Sequence, residues 1–176
     1  MRQATEAAAG SVDELAPDDA VLREFVSDFY AAMSLMRTMR RAVARTVNLS
    51  SAEFSVMLAV WYLERGGVTT VRAIADHLHV AAAHTTAEIG KLVKAGLLDK
   101  RPHPTDKRAL GIHLTAAGQQ MFRRLGPILR NVNEGLFAHI YYADMVVVHR
   151  FLRRIIEQAP AAIRVAETYY SDSTAP

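Results

Sequence analysis

The chain has 176 residues, 51% of them apolar, enough to bury one ordinary core with or without a helical extension. No apolar run approaches the roughly 18 to 20 residues that span a bilayer, and the N-terminus lacks a basic stretch followed by an apolar one. Neither a membrane span nor a leader is therefore expected, the expected location is the cytoplasm, and the absence of cysteine excludes disulfides, thiolate metal sites and cysteine redox sensing.

The net charge of +3 is unevenly placed. Residues 1–20 carry Arg2 against Glu6, Asp13, Glu14, Asp18 and Asp19, a net −4, which leaves +7 on the remainder. Between Lys91 and Arg108 stand Lys91, Lys94, Lys100, Arg101, Lys107 and Arg108 against Asp99 and Asp106. A basic cluster of this density fits a polyanionic partner, although charge alone does not separate it from a solvated surface.

The Ala-rich, acidic first residues up to Pro17 read as a flexible arm. From Leu22 the apolar residues Phe25, Val26, Phe29, Met33, Met36, Val43 and Val47 follow the helical period, which predicts a long amphipathic helix broken at Asn48. Ser50 or Ser51 can cap a second helix to about Glu64, with Phe54, Met57, Leu58 and Trp61 on its buried side and Gly66-Gly67 ending it. Thr70 can cap a short third helix, VRAIADHL, and His79-Val80-Ala81 has the length of a tight turn into a fourth. In that fourth helix Thr85, Ile89 and Leu92 share one face and leave Ala82, Ala83, Thr86, Ala87 and Gly90 on the other. Two short helices with a small-residue outer face on the second fit a helix-turn-helix.

Gly96 supplies a C-cap, and Leu97 to Arg101 and Ala109 to Leu114 then flank a six- or seven-residue loop, with Leu110, Ile112 and Leu114 on one strand face. Pro102 and Pro104 restrict that loop while Asp106, Lys107 and Arg108 charge it, so its tip is expected to be both stiff and basic. Thr115 caps a long helix carrying Met121, Leu125, Ile128, Val132, Leu136 and Ile140, bent at Pro127. Asp144 caps a last helix, with Val148, Phe151, Leu152, Ile155 and Ile156 facing inward before Pro160. These outer helices are more apolar than one small domain can cover, which points to a homodimer that presents two recognition helices to a pseudo-palindromic site.

Several of these segments in order resemble the MarR family of bacterial transcriptional regulators, from about Leu22 to Gln158. The segments LSSAEFSVMLAV and VTTVRAIADHLHV are similar to its second helix and the approach to its turn. The most specific elements are Leu92, Gly96-Leu97, Lys100-Arg101, the wing Asp106-Lys107-Arg108, and Leu114-Thr115-Ala116-Ala117-Gly118. The resemblance implies a mainly α fold with a small β-wing, a winged helix-turn-helix flanked by N- and C-terminal dimerisation helices. The expected division is a flexible acidic arm at 1–20, dimerisation helices at 21–48 and 115–160, a DNA-binding domain at 49–114 and a tail at 161–176.

By the same resemblance Arg108 is the wing arginine near the minor groove and Asp106 the acid that orients it. The recognition helix departs from the family pattern, with Ala81, Ala83 and Ala87 where hydroxyl or basic residues are common. His84, Thr86 and Lys91 then remain for direct contact, and phosphate contacts are expected from Lys91, Lys94, Arg101, His103, Lys107 and Arg108.

Arg37, Arg41 and Arg45 share one ridge of the first helix with Arg40 adjacent. Because family members bind small acidic ligands near the first two helices, Arg37 or Arg41 is a candidate for the carboxylate of an aromatic acid or the phosphates of an acyl-CoA. Tyr30, Met33, Phe54, Met57 and Trp61 would line the apolar part. The alternative is that the arginines are solvated and the apolar side chains are core.

His77, His79 and His84 lack the spacing and acidic neighbours of a zinc site, and no cofactor is expected. No phosphate loop, nucleophile elbow or telling acid pair indicates an enzyme. The function expected is a ligand-responsive DNA-binding regulator, most naturally a repressor. The competing reading is a winged-helix protein-interaction module without sequence-specific DNA binding, which the alanine-rich helix keeps open.

Overall fold

The computed structural model describes residues 20–67, 69–103 and 109–173. The chain divides into two compact units after Leu129. The first holds α1 (Ala20–Arg45), α2 (Ser51–Leu63) with a 3₁₀ turn at Glu64–Gly66, α3 (Val71–Leu78), α4 (Ala82–Lys94) and an antiparallel hairpin of β1 (Leu98–Pro102) and β2 (Leu110–Leu114). Helix α5 (Ala116–Leu136) begins in the first unit and ends in the second, which also contains α6 (Tyr142–Ser173).

Local chemistry accounts for most boundaries. Asn48 takes a positive φ of 56° and closes α1, and Ser50 starts α2 with a reciprocal capping box. The Ser50 hydroxyl accepts from the Glu53 amide at 3.2 Å while the Glu53 carboxylate accepts from the Ser50 amide at 2.8 Å. Thr70 caps α3 by accepting from the Ala73 amide at 3.2 Å, and His79, with φ 54°, ends it.

The hairpin pairs Leu98 with Leu114 through to Pro102 with Leu110. Thr69 extends the pairing, its carbonyl accepting from the Ile112 amide at 2.7 Å, and Thr70 bridges Gly111. The core of the first unit is built from Phe54, Val56, Met57, Val60, Ile74, Ile89, Leu92, Leu98, Ile112, Met121 and Leu125, all buried. Each such side chain is worth roughly 1.5–3 kcal/mol relative to exposure.

Thr115 joins the hairpin to α5. Its hydroxyl accepts from the Gly118 amide at 3.0 Å and donates to the Gly96 carbonyl at 2.6 Å. Gly118 is pressed against this corner, where a Cβ would collide with the Leu97 carbonyl oxygen and meet the Leu114 side chain.

Several expectations from the sequence are corrected. Trp61 is 38% exposed and Leu58 only half-buried, and Val56, Ala59 and Val60 fill the buried side of α2 instead, because α2 is contacted from more than one direction. Leu110 is 50% exposed, since the outer end of β2 extends beyond the core that Ile112 and Leu114 reach. Helix α5 stops at Leu136, so Ile140 lies in the following turn, where His139 adopts φ 64°. Asp144 falls inside the first turn of α6 rather than capping it, with its amide bonded to the Tyr141 carbonyl at 3.0 Å.

Helix α6 also passes through Pro160 to Ser173 instead of ending there, so residues 161–173 continue the helix. Pro160 removes one helical hydrogen bond, but the flanking Ala159, Ala161 and Ala162 favour helix on both sides. No described helix is long and apolar enough to cross a membrane.

Candidate nucleic-acid interface

Helix α4 has one locked face and one open face. Thr85, Glu88, Ile89 and Leu92 are buried, while Ala82, Ala83, His84, Thr86, Ala87, Lys91 and Lys94 are exposed. Its N-cap is Ala81, which makes no side-chain cap, so the first amides of the helix are left to solvent or to an anion. The Thr86 hydroxyl donates back to the Ala82 carbonyl at 2.8 Å, which leaves its oxygen as an acceptor outward. His84 sits beside Arg40, Ser55, Leu78 and Val80 around a small cleft at the start of the helix.

Two of the candidate cations are already paired. The Lys91 ammonium donates to the Glu88 carboxylate at 2.8 Å, and this bond raises the lysine above its ordinary value, helped by the charges of Glu88 and Glu53. Arg101 donates to Asp99 at 3.0 Å, which holds that carboxyl below the usual aspartate range. Lys94 and Arg101 are exposed and His103 is half-buried. Asp106, Lys107 and Arg108, the wing tip, lie outside the described residues.

The candidate effector residues are not gathered into one place. Arg37 and Arg41 line a cleft with Arg40, Ser51, Ala52 and Ser55. Phe54 and Met57 are buried core, whereas Tyr30 and Met33 are exposed on α1. Trp61 lines a different cleft of about 390 Å³ between α2 and α5, with Leu58, Gln119, Phe122, Arg123, Gly126 and Leu129. There the Trp61 ring stacks on Phe122 at 5.6 Å, and the Arg65 guanidinium lies 4.1 Å from the Trp61 ring centre. His77 stacks on Tyr62 at 5.4 Å.

Three relationships escaped the sequence reading. Glu88 lies on the buried face of α4, a position that its spacing from Thr85 and Leu92 could have disclosed. His113 and Glu64 meet at 3.0 Å across 49 residues, and the stack of Trp61 on Phe122 joins α2 to α5. Neither long-range contact leaves a local signal.

A family model described as the MarR family matches residues 49–110. The HTH-type transcriptional repressor IacR of Pseudomonas putida is 24% identical over 93 residues, 53% of this chain and 56% of that repressor, so the match spans little more than half of its length. Among solved structures, a MarR/EmrR family transcriptional regulator from Acinetobacter sp. ADP1 superposes with a TM-score of 0.67 at 16% identity, covering 80% of this chain and 98% of that one. The Bordetella bronchiseptica protein BpsR, whose structure concerns regulation of its DNA binding by 6-hydroxynicotinic acid, gives 0.59 at 20% identity, covering 72% and 89%. The residues that match the MarR family model hold the helix-turn-helix and β1 of the hairpin, and the fold around them is that of solved MarR family regulators.

Proposed function

We propose that this chain is a ligand-responsive repressor that binds a pseudo-palindromic operator as a homodimer and is released by a small acidic effector. The observation that carries the reading is α4 itself, seated by its buried face and presenting an uncapped N-terminus and small side chains outward. Residues 49–114 would supply the DNA-binding region, with His84 and Thr86 near base edges. Lys94, Arg101, His103, Lys107 and Arg108 would lie on phosphates or in the minor groove, with Asp106 orienting Arg108. Alanine methyls on α4 favour thymine contacts and modest direct readout.

Residues 21–48 and 115–160 would form the dimer. In support, Val146, Val148, Leu152, Ile155 and Ile156 of α6 are substantially exposed in the single chain, as are Phe25, Val26 and Met36 of α1.

An acidic aromatic effector suits the cleft beside Trp61, where Phe122 and Leu58 supply an apolar wall and Arg123 a cation. The regulation of BpsR by 6-hydroxynicotinic acid supports an acid of this class. Arg37 and Arg41 would serve a more highly charged ligand such as an acyl-CoA.

The test is a gel shift on the DNA upstream of the protein's own gene at two salt concentrations, with Arg108→Glu alongside. Six neutralised phosphates per dimer give a slope of log affinity against log salt of about −5, and Arg108→Glu abolishes binding. A slope near zero, or failure to bind any sequence in a random-sequence selection, overturns the reading. The donor-poor face of Ala82, Ala83 and Ala87 favours, in that event, the protein-interaction module, for which Arg108→Glu leaves the partner complex intact.

A further inference from the structure

The buried face of α4 contains a charge. Glu88 stands three residues after Thr85 and beside Ile89, and its side chain is only 6% exposed. Its Oε1 accepts from the Lys91 ammonium at 2.8 Å, while its Oε2 is buried with no hydrogen-bond partner among the described residues. Lys91 has a 58% exposed side chain and is long enough to reach outward, yet its ammonium turns back onto Glu88. Glu53 of α2 adds a second negative charge near the same ammonium. Lys91 thus holds the Glu88 carboxylate where α4 packs against α2.

We propose that Lys91 is a positioning residue: it neutralises the buried Glu88 and thereby seats the recognition helix on α2, and it makes no contact to DNA phosphate. The proposal rests on the DNA-binding reading and separates Lys91 from the other cations of the same region. A lysine on DNA phosphate and a lysine on a buried carboxylate respond oppositely to substitution. Loss of the first weakens binding and lowers the salt slope by about 0.9 for each phosphate contact removed, whatever stands at position 88. Loss of the second strands a carboxylate in the core, which is strongly destabilising. Replacing both partners by apolar groups is often neutral or favourable.

This predicts a rescue. Met at position 91 alone leaves Glu88 uncompensated, and Leu at position 88 then removes the need for compensation. Leu also fits the stripe formed by Ile89 and Leu92. The non-additivity of the pair is therefore the signature, rather than the effect of either change alone.

The experiment uses the full chain as wild type, Lys91→Met and the double variant Glu88→Leu/Lys91→Met. Thermal midpoints are measured without DNA, and operator affinity is measured by fluorescence anisotropy across a salt series. The expected result is a lower midpoint and at least about tenfold weaker binding for Lys91→Met, with recovery of both in the double variant to within about threefold in affinity. The salt slope stays at the wild-type value in both. A slope reduced by about 1.8 per dimer in either variant, or a double variant no better than Lys91→Met, overturns the proposal. If Lys91→Met does not fold, the double variant alone decides: folded and bound with the wild-type slope it supports the assignment, and unfolded or reduced in slope it overturns it. If wild type binds no DNA, the regulator reading fails, and the order of the midpoints still shows whether Lys91 compensates Glu88.

Discussion

His113 Nδ1 lies 3.0 Å from the Glu64 carboxylate, tying β2 of the hairpin to the 3₁₀ turn that ends α2. A carboxylate only accepts, so Nδ1 carries the hydrogen and donates it. Asp99 stands opposite His113 in the hairpin register. Both partners are largely shielded, with side chains 20% and 30% exposed, so the bond is expected to be worth about 0.5–1.5 kcal/mol. In a double-mutant cycle on His113→Ala and Glu64→Ala, monitored by urea unfolding, the coupling should fall in that range. Strict additivity would mean that the hairpin is seated by its apolar contacts alone.

Gly118 tests the corner between hairpin and α5. In an open helix, replacing Gly by Ala stabilises by about 1 kcal/mol. Here a Cβ would strike the Leu97 carbonyl oxygen, which belongs to the backbone and cannot rotate away. Gly118→Ala is expected to destabilise by about 1–3 kcal/mol in urea titration. A more stable variant would show that the corner opens at little cost.

The capping box at Ser50 carries a pH signature. Glu53 is held below its ordinary value, first by the hydrogen bond from the Ser50 amide, then by that with the Ser50 side chain, with a smaller contribution from Lys91. A depressed folded-state value means that the carboxylate stabilises the fold above its unfolded-state pKa, and that this contribution fades as pH falls through the folded-state value. Between about pH 5 and about pH 3, Glu53→Gln should therefore lose less of its urea midpoint than wild type does. Ser50→Ala should cost about 1 kcal/mol near neutrality. Parallel pH profiles for wild type and Glu53→Gln would remove Glu53 from the account.

Trp61 reports on the proposed effector cleft because it forms part of the wall. An aromatic carboxylate seated there is expected to quench its fluorescence and to raise the thermal midpoint, the fold gaining about 2.7 kcal/mol of stability at a hundredfold excess over Kd. Arg123→Ala should weaken this response about tenfold or more if Arg123 takes the carboxylate. No change in fluorescence or midpoint with a panel of aromatic acids would remove the small-acid effector from this cleft.

What the sequence determined by itself was the local grammar. Thr70 at the head of α3 and Gly96 after α4 announce boundaries through backbone chemistry that acts within a few residues, and the period of Thr85, Ile89 and Leu92 orients α4. The order of Gly96-Leu97, Lys100-Arg101 and Leu114-Thr115 made the winged helix legible before any coordinates. Those signals stop where an outcome depends on what packs alongside. Trp61 and Phe54 look alike in the sequence, yet only Phe54 is buried, because Phe54 is enclosed by the core whereas Trp61 borders an open cleft. Pro160 reads as a helix stop, yet α6 continues, since a single lost hydrogen bond is outweighed by the alanines around it. The pairing of Glu64 with His113 was decided by tertiary structure alone, whereas the spacing of Glu88 from Thr85 and Leu92 already places it on the inner face of α4. Long-range contacts bring together groups whose separation along the chain leaves no periodic trace, and burial is what turns a carboxylate from a solvated side chain into one that requires a partner.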